Sequence, residues 1–116
     1  MIIQKLDILK ESNIIDQENY DYIIRVIESL KKHGIEVGAE SPAETFLTHL
    51  AMAAARQKNA EPPIERLDAM IIEDIETDPR FARAQEIWRA LEGLAPMPFG
   101  EEELDYFYLH ICNMIQ

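Results

Sequence analysis

The chain has 116 residues, of which 47% are hydrophobic, and a formal net charge of −11 from 22 acidic and 11 basic residues. This length and composition exclude disorder and two well-stabilised domains, so we predict one domain over residues 1–116. The acidic balance excludes direct nucleic-acid binding, which depends on cationic side chains, and no apolar run reaches the roughly 18 residues of a membrane helix. A single cysteine, Cys112, and the lack of a secretory signal predict a cytoplasmic protein.

Apolar residues recur at helical spacing from one end of the chain to the other, so the sequence predicts an all-α fold, a compact five-helix bundle. After a short amphipathic start, the first of the five predicted helices spans about residues 16–32. Ile23, Ile27 and Leu30 form its buried face, and Gly34 is a typical residue just beyond a helix C-terminus.

The second predicted helix starts at a clear capping signal. Ser41 is the N-cap residue, Pro42 suits the first helical position, and Glu44 completes a capping box. The helix runs to about Lys58 and ends before "QKNAEPPIE", a loop that two consecutive prolines predict because proline cannot continue a helix.

Three more helices are predicted in the second half of the chain. The first has Ile64, Leu67, Ile71 and Ile75 in register, and the next begins with Asp78 as cap and Pro79 at the first helical position. That helix buries Phe81, Ala84, Trp88 and Leu91 and ends at Gly93. The last helix covers about residues 101–115, with glutamates at its start, where the helix dipole favours negative charge.

The last helix has two apolar faces. Leu104, Tyr108, Ile111 and Ile115 share one stripe, which we expect to face the core. His110 points away from that stripe, and Glu103, seven residues earlier, lies in line with His110 on the helix surface. Phe107 and Met114 flank this line, so the second face holds a carboxylate and an imidazole among apolar groups.

The second helix has a similar arrangement. Its predicted core stripe is Ala43, Leu47, Leu50 and Ala54. His49 points away from this stripe, and Arg56 lies seven residues further along the same line. The face around His49 is almost free of charge, so we expect either another helix or a second subunit to cover it.

No other constellation indicates chemistry. His33, in "KKHG" at a helix end, is best explained as a partner of the helix dipole. Neither His49 nor His110 has a carboxylate three or four positions away, the spacing of helical metal ligands, so we expect no metal. No glycine-rich phosphate loop or nucleophile elbow is present, so we expect no cofactor and no self-contained enzyme.

Two segments together resemble a known family, the phosphotransferase-system regulation domain, or PRD. In "FLTHLAMAAAR" His49 is followed seven residues later by Arg56, and in "FGEEELDYFYLHI" His110 is preceded seven residues earlier by Glu103. Both segments resemble the signature segments of the PRD family. The intervening "IIEDIETDPRFARAQEIWRALEGLAPMPFG" is similar to its third and fourth helices and the following loop, so the resemblance extends from about residue 16 to residue 115.

This resemblance implies an all-α homodimer regulated by phosphorylation on histidine. The implied acceptors are His49 and His110, the implied supporting residues are Arg56 and Glu103, and the implied donors are the phosphocarrier HPr and enzyme IIB components. We expect Arg56 to pair with a phosphoryl group on His49, whereas Glu103 would repel one on His110. We also expect a second subunit to bury the faces around both histidines.

Two features depart from the family pattern. Many members have an aspartate before the first histidine, where this chain has Thr48. Well-known members also join paired PRDs to a nucleic-acid-binding domain, whereas this chain has room for one PRD and would act through a permease component or a multidomain transcription regulator. The alternatives are a helical dimerisation or adaptor protein with structural histidines that are never phosphorylated, and an enzyme that uses histidine and glutamate as acid-base partners.

Overall fold

A computed structural model describes residues 2–38, 40–61 and 64–115. Within these residues the chain forms α-helices and no strand, which confirms the all-α prediction. In chain order the helices are α1 (Ile2–Glu11), α2 (Gln17–Lys32), α3 (Pro42–Lys58), α4 (Ala69–Glu76), α5 (Phe81–Glu92) and α6 (Glu101–Met114). None of the helices in these ranges is both long and apolar enough to cross a membrane.

The described ranges contain six helices, so the prediction of five was wrong by one. The additional helix is α1, which was expected only as a short amphipathic start. It packs against α2 and α3 and buries Ile2 and Leu6, with Leu6 fully enclosed. Its stability comes from this packing, because an isolated helix of about ten residues is marginal in water.

Helix α2 ends as its sequence predicts. Gly34 has a positive φ of 76°, its N–H bonds the Lys31 carbonyl oxygen, and the N–H of Ile35 bonds the Leu30 carbonyl oxygen. These two bonds define a Schellman motif. Leu30 and Ile35, the positions of its usual apolar contact, are both buried in the core. The predicted core face of Ile23, Ile27 and Leu30 is also confirmed.

Helix α3 begins at the predicted cap. The Ser41 hydroxyl accepts the N–H of Glu44, and Pro42 occupies the first turn. The Glu44 carboxylate is buried and accepts the N–H of Glu40, and it forms an ion pair with Lys5 of α1. The predicted core residues of this helix are all buried: Ala43, Leu47, Leu50 and Ala54. The two prolines at 62 and 63 lie outside the described residues.

Helix α4 is shorter and more exposed than predicted. Asp68 caps it by accepting the N–H of Met70, so Ile64 and Leu67 precede the helix. Of the four isoleucine and leucine residues expected on one buried stripe, only Ile75 is buried, and Ile71 is 42% exposed. The main packing contact of this helix is with α6.

Helix α5 starts at Phe81, slightly later than predicted, although Asp78 still accepts the N–H of Arg80 just before the first turn. Ala84, Trp88 and Leu91 are buried as expected, and Phe81 is partly buried. The helix packs against α2 and α6.

The predicted core stripe of α6 is confirmed only in part. Leu104, Tyr108 and Ile115 are only partly buried, and Ile111 alone of that stripe is buried. The buried face consists of Glu103, Phe107, Ile111, Cys112 and Met114. The buried face is rotated toward Glu103 because two partners on α3 satisfy this carboxylate inside the protein.

The burial of α1 predicts that its inner face contributes to global stability. Leu6→Ala should lower the free energy of unfolding by about 2–5 kcal/mol, because it removes buried methyl groups and leaves a cavity. The matched control is Ile8→Ala on the same helix, where the side chain is 61% exposed, and it should cost less than about 0.5 kcal/mol. Urea unfolding measures both. Equal small losses would show that α1 does not pack on the core.

Candidate functional site

Helices α3 and α6 pack face to face and bring the two predicted histidines into direct contact. The Nδ1 atom of His49 lies 3.3 Å from Nε2 of His110, and the two rings meet nearly at right angles with centroids 5.3 Å apart. Both side chains are half-buried. The sequence predicted that each histidine lies on a second apolar face of its helix, which a second subunit would bury. In the structure these two faces of α3 and α6 pack against each other within one chain.

Glu103 joins the histidines to Arg56. Its carboxylate is buried, and its two oxygens have different partners on α3. Oε1 accepts a hydrogen bond from Nη2 of Arg56 at 2.7 Å, and Oε2 accepts one from Nε2 of His49 at 3.2 Å. All four predicted site residues therefore form one connected cluster, which we call the His–Glu–Arg cluster: His49, His110, Glu103 and Arg56.

The matching seven-residue spacings explain this geometry. His49 and Arg56 lie two turns apart on α3, and Glu103 and His110 lie two turns apart on α6. Because the contacts join His49 to His110 and Arg56 to Glu103, the two helices run antiparallel at this point. Residues separated by two turns stay on one side of a helix, so the two pairs face each other in register.

Aromatic rings form the floor of the cluster. Phe107 is fully buried on α6 and contacts the rings of Trp88 and Phe99 at centroid distances of 4.9 and 5.1 Å. The ring of His49 packs against Phe107 at 5.4 Å and against Tyr106 at 5.6 Å. These contacts hold the imidazole in place and exclude water from its inner edge.

Burial affects the titration of His110. Desolvation, with a smaller contribution from the charge of His49, lowers the pKa of His110 below its ordinary value of 6.5. The neutral ring is therefore favoured at neutral pH, and a neutral imidazole retains one nitrogen lone pair that can act as a nucleophile.

The pairing within the cluster differs from the sequence expectation. Arg56 was expected to serve His49 by pairing with a phosphoryl group there, and Glu103 was expected to act on His110. Instead Arg56 pairs with Glu103, and Glu103 contacts His49. The difference arises because charge attraction across two antiparallel helices joins the oppositely charged pair, which no single-helix projection can reveal.

Thr48 and His33 take no part in the cluster. The Thr48 hydroxyl, at the position where many PRD members have aspartate, donates to the Glu44 carbonyl oxygen within α3. His33 lies at the C-terminal end of α2, as predicted, and its Nδ1 donates to the Ser29 carbonyl oxygen.

Tyr106, whose ring borders His49, was not predicted as part of the site. Its position one residue before Phe107 gave no periodic signal. In the part of the chain that the structure describes, no group of three or more His, Cys, Asp or Glu residues is arranged to hold a metal ion. A cavity of about 230 Å³ lies next to Arg56 and Glu103, between α3 and the start of α6.

Comparisons with protein-family models, with curated proteins and with solved structures found no significant match. Membership of the PRD family therefore stays a prediction from the two histidine segments.

The Arg56–Glu103 pair should make a measurable contribution to stability. In a double-mutant cycle of Arg56→Ala and Glu103→Ala, we expect a coupling free energy of about 1–3 kcal/mol, since the bond is charged, short and largely shielded from water. The matched control is the exposed pair Arg83–Glu86, separated by 3.6 Å, whose coupling should fall within experimental error. Equal coupling free energies in the two pairs would show that Arg56 and Glu103 do not form a specific contact shielded from water.

Proposed function

We propose that this protein is a regulatory module of the bacterial phosphotransferase system, which accepts phosphoryl groups on histidine and modulates a transcription regulator or a permease component through protein–protein contact. The observation that supports this proposal is the 3.3 Å contact between His49 and His110 inside the His–Glu–Arg cluster. Both residues match the acceptor positions of the family that the sequence resembles.

The chemistry of the cluster supports a role as a phosphoryl acceptor. The half-buried His110 favours its neutral form, and a neutral imidazole accepts a phosphoryl group without a metal in its own domain. Aromatic packing and the bond to Glu103 hold His49, which in turn contacts His110. An acceptor held in one orientation needs little reorganisation before it reacts.

The same arrangement supports a switch. By analogy with other phosphorylated side chains, a phosphoryl group adds about −1.5 to −2 charges. Glu103 is a buried carboxylate in the same cluster, so the added charge would meet like charge at low effective dielectric. Arg56 could then exchange Glu103 for the phosphoryl oxygens, which would weaken the contact that holds α3 against α6.

The proposed partners follow from the resemblance and from charge. The donors would be phosphorylated HPr, enzyme IIB components or both, and the regulated partner would be a permease component or a multidomain transcription regulator. The net charge of −11 favours partners with basic surfaces. In this role the protein is the recipient of phosphoryl groups rather than an enzyme. A homodimer and a cytoplasmic location remain predictions.

One observation favours the second candidate, a helical adaptor whose histidines are structural. Both ring nitrogens of His49 lie within hydrogen-bonding distance of a partner, as expected of a histidine that satisfies a buried carboxylate. In that case the cluster would only join α3 to α6, and the protein would bind its partner without phosphorylation.

Phosphotransfer assays separate the two candidates. We expect incubation with labelled phosphoenolpyruvate, enzyme I and HPr, with or without enzyme IIB proteins, to give an acid-labile label, since phosphohistidine is unstable in acid. The double variant His49→Ala/His110→Ala should lose the label, because no acceptor imidazole remains in the cluster.

The matched control is His33→Ala, which removes the remaining histidine of the chain at a distance from the cluster and should keep the label. A label that survives in the double variant would disprove the site. Absence of label from the unmodified chain with every donor would favour the adaptor.

A further inference from the structure

The hydrogen bonds of the His–Glu–Arg cluster have a defined direction. The Glu103 carboxylate, paired with Arg56, can only accept, so Nε2 of His49 carries the proton of the bond between them. In a neutral His49 ring the other nitrogen, Nδ1, is then the acceptor. It lies 3.3 Å from Nε2 of His110, which must therefore be the donor.

This direction leaves one imidazole nitrogen of the cluster with an unused lone pair. In a neutral His110 whose proton is on Nε2, the lone pair is on Nδ1. Nδ1 has no hydrogen-bond partner among the described residues. In those residues Tyr22 Oη is the only fully enclosed side-chain nitrogen or oxygen without a partner, so Nδ1 of His110 retains contact with solvent.

We propose that the cluster has a single acceptor atom, Nδ1 of His110, and that His49 is a positioning residue that sets the tautomer of His110 and receives its proton. This inference rests on the proposed function, since it specifies where the phosphoryl group is held. It differs from the expectation that both histidines are equivalent acceptors, because each nitrogen of His49 already has a partner.

The transfer balances with groups present in the cluster and a donor that is an N-phosphorylated imidazole or amine. The Nδ1 lone pair of His110 forms a bond to phosphorus, while the donor's P–N bond breaks and its electron pair leaves with the donor nitrogen. The His110 ring becomes positively charged until its Nε2 proton moves to Nδ1 of His49. His49 is then an imidazolium ion beside the Glu103 carboxylate, which stabilises the charge.

The site and the isomer of the product test this assignment. Potassium phosphoramidate serves as the probe because it phosphorylates imidazoles without a carrier protein and releases ammonia. Within the cluster, mapping of alkaline digests should locate a single phosphoryl group, on His110, and phosphorus NMR should identify the Nδ1 isomer. A label on His49, a second label in the cluster, or the Nε2 isomer on His110 would overturn the proposal.

Variants of His49 show whether this residue takes up the proton of His110, which we call the relay, or has only a structural role. His49→Ala should reduce the labelling rate of His110 by roughly tenfold or more and give a mixture of both isomers, since nothing then fixes the tautomer. His49→Gln, whose amide oxygen accepts but cannot take up a proton, should restore the Nδ1 isomer but not the rate. An unchanged rate and isomer in His49→Ala would refute the relay, and thermal unfolding would show whether each variant is folded.

N-acetylhistidine, treated in parallel, makes a negative result decisive. If phosphoramidate labels N-acetylhistidine but not the protein, Nδ1 of His110 is not an accessible nucleophile and the proposal is wrong. If phosphoramidate labels Nδ1 of His110 while no phosphotransferase protein does, the assignment of the acceptor atom stands and the proposed function fails.

Discussion

The structure depends on satisfying one buried carboxylate, that of Glu103. A carboxylate that loses its water without a partner costs several kcal/mol, so α6 can bury Glu103 only where donors are available. Arg56 and His49 of α3 supply them, one to each oxygen. This requirement sets the register between α3 and α6, since a shift of one turn would leave the carboxylate unpaired. The contact of His49 with His110 follows from that register.

The same constraint makes the cluster sensitive to charge. Its arginine and carboxylate balance one another, and the neighbouring imidazoles lie at the edge of an aromatic core around Phe107. A phosphoryl group would upset this balance at low dielectric, where charges interact more strongly than in water. Helix α6 also packs against α5 and α4, so a shift of α6 at the cluster would also change its contacts with these two helices.

The sequence was sufficient for the helices whose ends have strong local signals. Ser41 and Pro42 marked the start of α3, and Gly34 marked the end of α2, because capping depends on residues close in sequence.

The sequence was insufficient to predict which face of α6 is buried. The burial of Glu103 depends on Arg56 and His49, which precede it in the chain by 47 and 54 positions. The equal spacing of His49–Arg56 and Glu103–His110 was a signal for antiparallel pairing of the two helices, but the two faces were predicted to form a subunit interface. Helix α1 was underestimated because tertiary packing on α3, rather than propensity, stabilises it.

The central claim is that Glu103, His49 and His110 form one directed chain of hydrogen bonds, and long-range proton–nitrogen correlation NMR of the unmodified protein tests it most directly. At a mildly alkaline pH, where imidazoles are neutral, the spectrum should show protons on Nε2 of both rings and a bare Nδ1 on His110. Glu103→Gln should disturb both patterns, although His110 does not contact Glu103. Protonation of His110 on Nδ1, or spectra of both rings that match free imidazole in tautomeric exchange, would contradict the account.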